Sequence, residues 1–318
     1  MIPFRNLWLV LLLLAPMAQA DSPEDLLAAG RIDDMMAAVQ TKLKQNPNDG
    51  PSNNLMCRAY LILENWDRGI ETCQKAVAAD GGNSSYHLWL GRVYGGKADR
   101  VSWITAAGLA GKVRNEFETA VKLSPNDPIA RTDLAEFYLE APGIVGGGKD
   151  KAAEQANLLM KTDPARAYWV LGRVAEKKND FATAEKQYRA GIEASQGSAL
   201  AWLNLALFYR KTNRFDEMEA AIAHAAAATT AHTEVLVDAA TTLFRTGRNF
   251  PLAIDMLQRY LASNTTVEDA PTFKAHYQLG MLFEKQGNRQ AAAEQYRAAL
   301  SLANEYSAAR DALNRLNR

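Results

Sequence analysis

One short pattern returns along this chain at a spacing near 34 residues, and that spacing restricts the fold more than any single motif. Clear copies run His276, Leu279, Gly280, Phe283, Ala292, Tyr296, Ala299, and Tyr168, Leu171, Gly172, Ala184, Tyr188, Gly191. Another runs Trp202, Leu205, Ala206, Tyr209, Met218, Ile222, Ala225. His87, Leu90, Gly91 and Tyr94, followed by Phe117 and Ala120, form an earlier copy; Asn53, Met56, Cys57, Tyr60, Gly69, Cys73 and Ala76 form a weaker one. The anchors fall at Met56, Leu90, Leu134, Leu171, Leu205, Ala240 and Leu279, separated by 34, 44, 37, 34, 35 and 39 residues. Within each copy the apolar spacing is helical, and polar turns such as Lys178-Asn179-Asp180 divide the copy into two helices. A lone helical hairpin cannot bury its apolar face, so the units must stack. Abundant alanine, with no excess of glycine or proline, agrees with helix throughout.

The order aromatic–Leu–Gly–aromatic–Ala–aromatic–Ala at this period resembles the tetratricopeptide repeat, and Pro125 and Pro164 occupy its late proline position. The resemblance covers about residues 23–306. It implies an all-α, right-handed superhelical α-solenoid of stacked helix-turn-helix units. Residues 21–49 read as a degenerate N-terminal capping repeat, 50–306 as seven units, and 307–318 as a C-terminal capping helix with a polar back. Two insertions break the period, near 95–112 and at 141–148. The first predicts a lengthened second helix carrying Trp103, Ile104, Leu109 and Val113, entered through Gly95-Gly96; the second is glycine-rich. Together they resemble segments of exported bacterial repeat proteins, and as neighbours they could meet on one face. A third insertion, Asn264 to Pro271, reads as a plain extended polar loop.

Residues 1–20 read as a secretory signal: Arg5, an apolar stretch from Leu7 to Ala15, and the small-residue site Ala18-Gln19-Ala20. The apolar run is short for a membrane span, so the expectation is export to the periplasm or beyond, with no integral span after cleavage near Ala20. Lysine and arginine number 36, as do aspartate and glutamate, which gives no basic footprint for nucleic acid. In an oxidising compartment Cys57 and Cys73, sixteen residues apart on two antiparallel helices, are either bridged or two buried thiols in small-residue positions.

Chemistry-bearing motifs are few. Gly143 to Asp150 nearly matches a phosphate-binding loop, but Asp150 stands where a metal-binding hydroxyl belongs and no strand precedes it, so a nucleotide-binding enzyme is rejected. His87, His224, His232 and His276 fall in different units with no metal-ligand spacing. Nothing nominates a nucleophile or a general base, and no cofactor is called for.

In tetratricopeptide-repeat proteins the first helices line a concave groove that takes peptides or partner helices. The matching positions flanking each Leu-Gly pair are Asn54, Arg58, Leu88, Arg92, Thr132, Glu136, Trp169 and Arg173, then Leu203, Leu207, Arg210, Asp238, Thr242, Arg245, Tyr277 and Met281. Five arginines against two acids imply a mildly basic groove for a protein or acidic peptide. Some family members clamp a carboxylate with a Lys–Asn pair; Asn54/Arg58 and Leu88/Arg92 do not reproduce it. The leading expectation is a non-catalytic adaptor in the cell envelope, and the alternative is a scaffold that stacks polysaccharide or peptidoglycan on groove aromatics such as Trp169.

Overall fold

The computed structural model describes residues 21–228, 234–263 and 267–316. Residues 1–20, on which the secretory-signal reading falls, His232 and Asn264 to Thr266 lie outside them. The described residues form helices joined by short turns, with no strand among them. A first hairpin, α1 (Pro23–Ala28) and α2 (Ile32–Gln45), precedes seven helix pairs. These are α3 (Gly50–Ile62) with α4 (Trp66–Ala79), α5 (Ser84–Ala98) with α6 (Trp103–Leu123), and α7 (Pro128–Glu140) with α8 (Lys149–Leu159). Then come α9 (Pro164–Lys177) with α10 (Phe181–Ala194), α11 (Ala199–Lys211) with α12 (Phe215–Ala227), α13 (Val235–Thr246) with α14 (Phe250–Ala262), and α15 (Thr272–Lys285) with α16 (Arg289–Leu302). α17 (Ser307–Leu316) closes the chain. No helix among the described residues is long and apolar enough to cross a membrane.

Local chemistry explains the boundaries. Asp49, Asn83, Asp127, Asp163 and Ser198 cap first helices by accepting from backbone N–H groups, and prolines stand in the first turns of α3, α7 and α9. Several hairpins turn through one left-handed residue, such as Asn179, Asn213 or Gly287, and the turn between α13 and α14 uses two, Gly247 and Asn249.

Three of the hairpins are then locked by an aromatic ring on a glycine. A Cβ at Gly91 would stand 2.5 Å from the ring of Phe117, at Gly172 2.8 Å from Tyr188, and at Gly280 2.5 Å from Tyr296. Real side chains do not approach so closely, so only glycine admits the ring. Burying each ring contributes roughly 1.5–3 kcal/mol. The tyrosine hydroxyls find carboxylates: Tyr296 donates to Glu284 at 2.7 Å and Tyr188 donates to Glu176.

Glu185 on α10 is the densest such node. It accepts from Arg214 at 2.6 Å, from Tyr209 at 2.8 Å and from Arg189 at 2.8 Å. Burial pushes its carboxyl up, but hydrogen bonds from Arg214, Tyr209 and Arg189 overcome this and hold it down at about 2. A folded-state value below the unfolded one means that this stability is present above pH 4.5 and lost as pH falls toward about 2. Glu185→Gln should therefore flatten the urea midpoint against pH across that window, by about 1 kcal/mol after solvent screening. An unchanged slope in the variant would show that Glu185 is not the group being titrated.

The insertions are helical where expected, with one correction. Gly95 and Gly96 do not open the turn; they remain inside α5, which runs to Ala98. The reason is the ring of Trp66, which lies where a Cβ on Gly96 would stand at 2.4 Å. α6 starts after Ser102, and its first turn leaves Trp103 and Ile104 exposed. The glycine-rich insertion makes one 3-10 turn, Gly143–Val145, whose Val145 carbonyl accepts from Arg114 of α6 at 3.4 Å, so the two insertions touch. The N–H groups of Val145, Gly146, Gly147 and Gly148 all donate to backbone carbonyls nearby, which leaves no open cradle for a phosphate.

The larger correction concerns the ends. α17 does turn Asp311, Asn314 and Arg315 outward, as a cap should. Yet the first hairpin does not end the stack freely, because the superhelix carries it onto the last unit. Leu26, Leu27, Ile32 and Met35 share one core with Phe273, Ala303, Tyr306 and Ala309. Asp33 accepts from the backbone N–H of Asn304 at 2.9 Å, and Arg68 pairs with Glu305 at 3.0 Å. Gly30, with φ of 70°, lies so close to Thr272 that a Cβ would stand 2.7 Å from its nitrogen. The solenoid thus completes one turn and contacts itself.

Candidate functional site: the concave face

First helices of successive units touch one another (α3 with α5, α7 with α9, α9 with α11, α11 with α13, α13 with α15), which puts them on the inner row of the curve. The groove positions read from sequence are all on this row, but they do three different things.

Asn54, Leu88, Thr132, Leu203 and Thr242 are buried between helices, although Thr132 still forms part of the wall of the cavity at Trp169. The hydroxyls of Thr132 and Thr242 donate to the carbonyls of Pro128 and Asp238 one turn earlier. Tyr277 and Met281 pack partly buried beside Tyr296, with Tyr277 also edge-on to Tyr306. One residue further along a helix rotates a side chain by about 100°, and that step explains what the sequence reading missed. Trp89, Asp133 and Asn204 directly follow Leu88, Thr132 and Leu203, and all three take part in the concave face.

The basic groove is also corrected. Arg58 pairs with Glu268, Arg92 with Asp133 at 2.6 Å, and Arg173 with Glu136 at 3.3 Å and Glu140 at 2.5 Å. Their partners come from other units, which spacing within one unit does not register. Arg58 and Arg92 also hold their guanidinium carbons 5.1 and 4.6 Å from the ring centre of Trp89, and Arg173 lies over Trp169 at 5.4 Å. Burial pushes the carboxyls of Asp133 and Glu136 up, against the pull of Arg92 and Arg173.

Two arginines differ. The guanidinium groups of Arg210 and Arg245 form no hydrogen bond or ion pair with a described residue. Burial and then the nearby charge of Arg245 hold Arg210 below its ordinary value. Asp238 lies within reach of Arg245, and burial and Asp269 push its carboxyl up. A side chain in a narrow bore can touch solvent and still have little water around it. Leu207 lies beside this pair on α11, partly buried against the core. One unit away a cavity of about 340 Å³ opens between α7, α9 and α11, with Trp169, Arg166, Asn204 and Leu200 on its walls.

The third insertion is not a plain extended loop. Its described part folds inward: Ala270 and Pro271 are buried, and the Ala270 carbonyl accepts from the Tyr260 hydroxyl. Glu268 and Asp269 line a second cavity of about 260 Å³ together with Trp66, Trp89 and Lys274. Burial holds the Lys274 ammonium below its ordinary value, partly offset by Glu64.

The remaining named residues have local roles. Cys57 and Cys73 are joined by a disulfide between α3 and α4, with Cα atoms 5.0 Å apart. His87 is buried between Glu116 and the Gly81 carbonyl, His276 bonds Gln295 at 2.7 Å, and His224 stacks on Trp202. No cluster of metal-ligating groups occurs among the described residues.

Helical hairpins of one period, stacked around a polar concave face, define an α-solenoid of the repeat class. The tetratricopeptide repeat family matches residues 165–232 and 237–307. The chain is a tetratricopeptide-repeat protein, a class that binds proteins or peptides. Among curated proteins it is similar to the cytochrome c-type biogenesis protein CycH of Bradyrhizobium diazoefficiens, 26% identical over 154 residues. That match takes in 48% of this chain and 38% of the relative, so the chain spans well under half of the relative's length. Among solved structures, yeast Tom70 is similar in fold, with a TM-score of 0.54 at 15% identity over 95% of this chain and 66% of that one. The tetratricopeptide-repeat protein TTC0263 of Thermus thermophilus gives 0.49 at 17% identity over 58% and 94%.

Proposed function

We propose that this protein is a non-catalytic adaptor of the cell envelope that holds an acidic peptide or partner segment on its concave face. The observation behind this reading is the pair Arg210 and Arg245. Burial, and then the nearby charge of Arg245, hold Arg210 below its ordinary value, and no carboxylate of a described residue is bonded to either guanidinium group. A ligand carboxylate would relieve that repulsion and make paired, charge-assisted hydrogen bonds. The neighbouring cavity at Trp169 and Leu200 would take an apolar side chain of the same segment. Envelope location is supported by the signal-like residues 1–20 and by the Cys57–Cys73 disulfide, a bond that persists in oxidising compartments. The relative named for cytochrome c biogenesis is consistent with a part in assembling other proteins. The polysaccharide alternative has less behind it, because Arg173 already covers one face of Trp169.

The test is a panel of end-labelled acidic decapeptides and their glutamine counterparts, titrated by fluorescence anisotropy. The acidic peptides should bind and the neutral ones should not, with affinity falling as salt rises. Arg210→Glu combined with Arg245→Glu should weaken binding by at least about tenfold, or 1.4 kcal/mol. Equal binding by the variant would move the site to the insertions or the convex face.

A further inference from the structure

The third insertion lengthens the anchor spacing from Ala240 to Leu279 to 39 residues, against a base period of 34. Its described residues, 267–271, fold inward. They carry Glu268 and Asp269 into the concave face. Glu268 meets Arg58 from 210 residues away, its two oxygens 2.9 and 3.0 Å from Arg58 Nε. Neither side chain is more than 23% exposed, so this pair is sheltered. Arg58 and Arg92 both hold their guanidinium groups over the ring of Trp89. Two arginines over one tryptophan, with carboxylates brought to them, is the chemistry expected for capture of an acidic segment.

We infer that the Glu268–Asp269 turn occupies one end of the concave face in place of a partner, and that an acidic partner segment with two adjacent carboxylates engages Arg58 and Arg92 by displacing it. The inference rests on the proposed acidic-segment reading and says where such a segment competes. The seating of the turn is uneven, which suits displacement. Glu268 has a bidentate partner. Asp269 lies within electrostatic reach of Arg92, but also of Asp133 and Asp238, which repel it. One good ion pair and one compromised carboxylate hold the turn less firmly than a fully complementary ligand would be held. Arg92 is already paired with Asp133 at 2.6 Å, so a ligand gains over the turn when its second carboxylate reaches Arg92 from the side away from both Asp133 and Asp238.

The probe is a fluorescein-labelled peptide of this chain's own residues 263–272, compared with a version whose acids are replaced by Gln and Asn. Glu268→Gln combined with Asp269→Asn empties the seat. The variant should bind the acidic peptide at least about tenfold more tightly than the unaltered protein, neither should bind the neutral peptide, and adding Arg58→Glu should remove the gain. Equal affinity of the unaltered protein and the variant overturns the proposal. If the Arg210- and Arg245-dependent binding of acidic peptides persists in that case, the adaptor reading survives it. Absence of acidic-peptide binding by both proteins, with helical content intact, overturns both. A second measurement needs no variant: saturating acidic peptide should speed amide exchange at residues 268–270 of the unaltered protein. Unchanged exchange there, with peptide bound, also overturns displacement.

Discussion

Tyr296→Ala should destabilise the last repeat by about 4 kcal/mol, a typical cost for truncating a fully buried aromatic ring. The ring is 0% exposed, seats on Gly280 and packs at 5.8 Å from Tyr277. Its hydroxyl bond to Glu284 is lost too, but Arg315 still pairs with that carboxylate at 2.9 Å, so no orphaned charge is left behind. The informative readout is where the damage spreads. In an open solenoid each unit feels only its neighbours. Here the last unit shares a core with the first hairpin through Phe273, Ala299 and Tyr306. Hydrogen exchange should therefore accelerate in α15 to α17 and also in α1 and α2, at the far end of the sequence. Acceleration confined to α14 through α17 would mean that the contact between the ends contributes little to stability.

Reducing the Cys57–Cys73 disulfide should cost about 3 kcal/mol, from the freedom returned to a loop of this length in the unfolded chain. The cysteines are sixteen residues apart, and both are fully buried where α3 crosses α4. The reduced thiols still pack as small apolar groups, so the hairpin should persist in a weakened form and not collapse. The loss should also reach the concave face, because Arg58 follows Cys57 directly on α3 and bonds Glu268. Amide exchange with and without dithiothreitol, with a Cys57→Ser, Cys73→Ser protein as control, checks this. Increased exchange is expected in α3, α4 and residues 268–270. A change well under 1 kcal/mol in α3 and α4 would show that the bridge adds little beyond the packing already present.

The contrast between Gly280 and Arg58 separates what was legible from what was not. The place of Gly280 followed from the chain alone, since its partner Tyr296 lies sixteen residues on, within one hairpin, and the same glycine-against-aromatic pairing recurs at Gly91 and Gly172. The same holds for the Asn and Asp caps and for the stacking of units, because each depends on residues inside one period or its neighbour. Some groove positions, such as Arg58 and Trp169, were legible directly, others only to within a residue: Leu88 and Leu203 are buried, while Trp89 and Asn204 beside them take part in the face. An error of one residue is an error of about 100° around a helix.

The amino-acid sequence by itself determined the α-solenoid, the seven helical hairpins after a first short one, and the inner row of first helices. Those features are set by contacts that close within about one repeat and recur along the chain. Only the tertiary structure decided that the first hairpin meets the last unit, that Glu268 reaches Arg58, and that Arg210 and Arg245 have no ion-pair partner among the described residues. Closure depends on small rotations summed over every unit, and the ion pairs depend on closure. Neither leaves a periodic mark in the sequence from which it could be read.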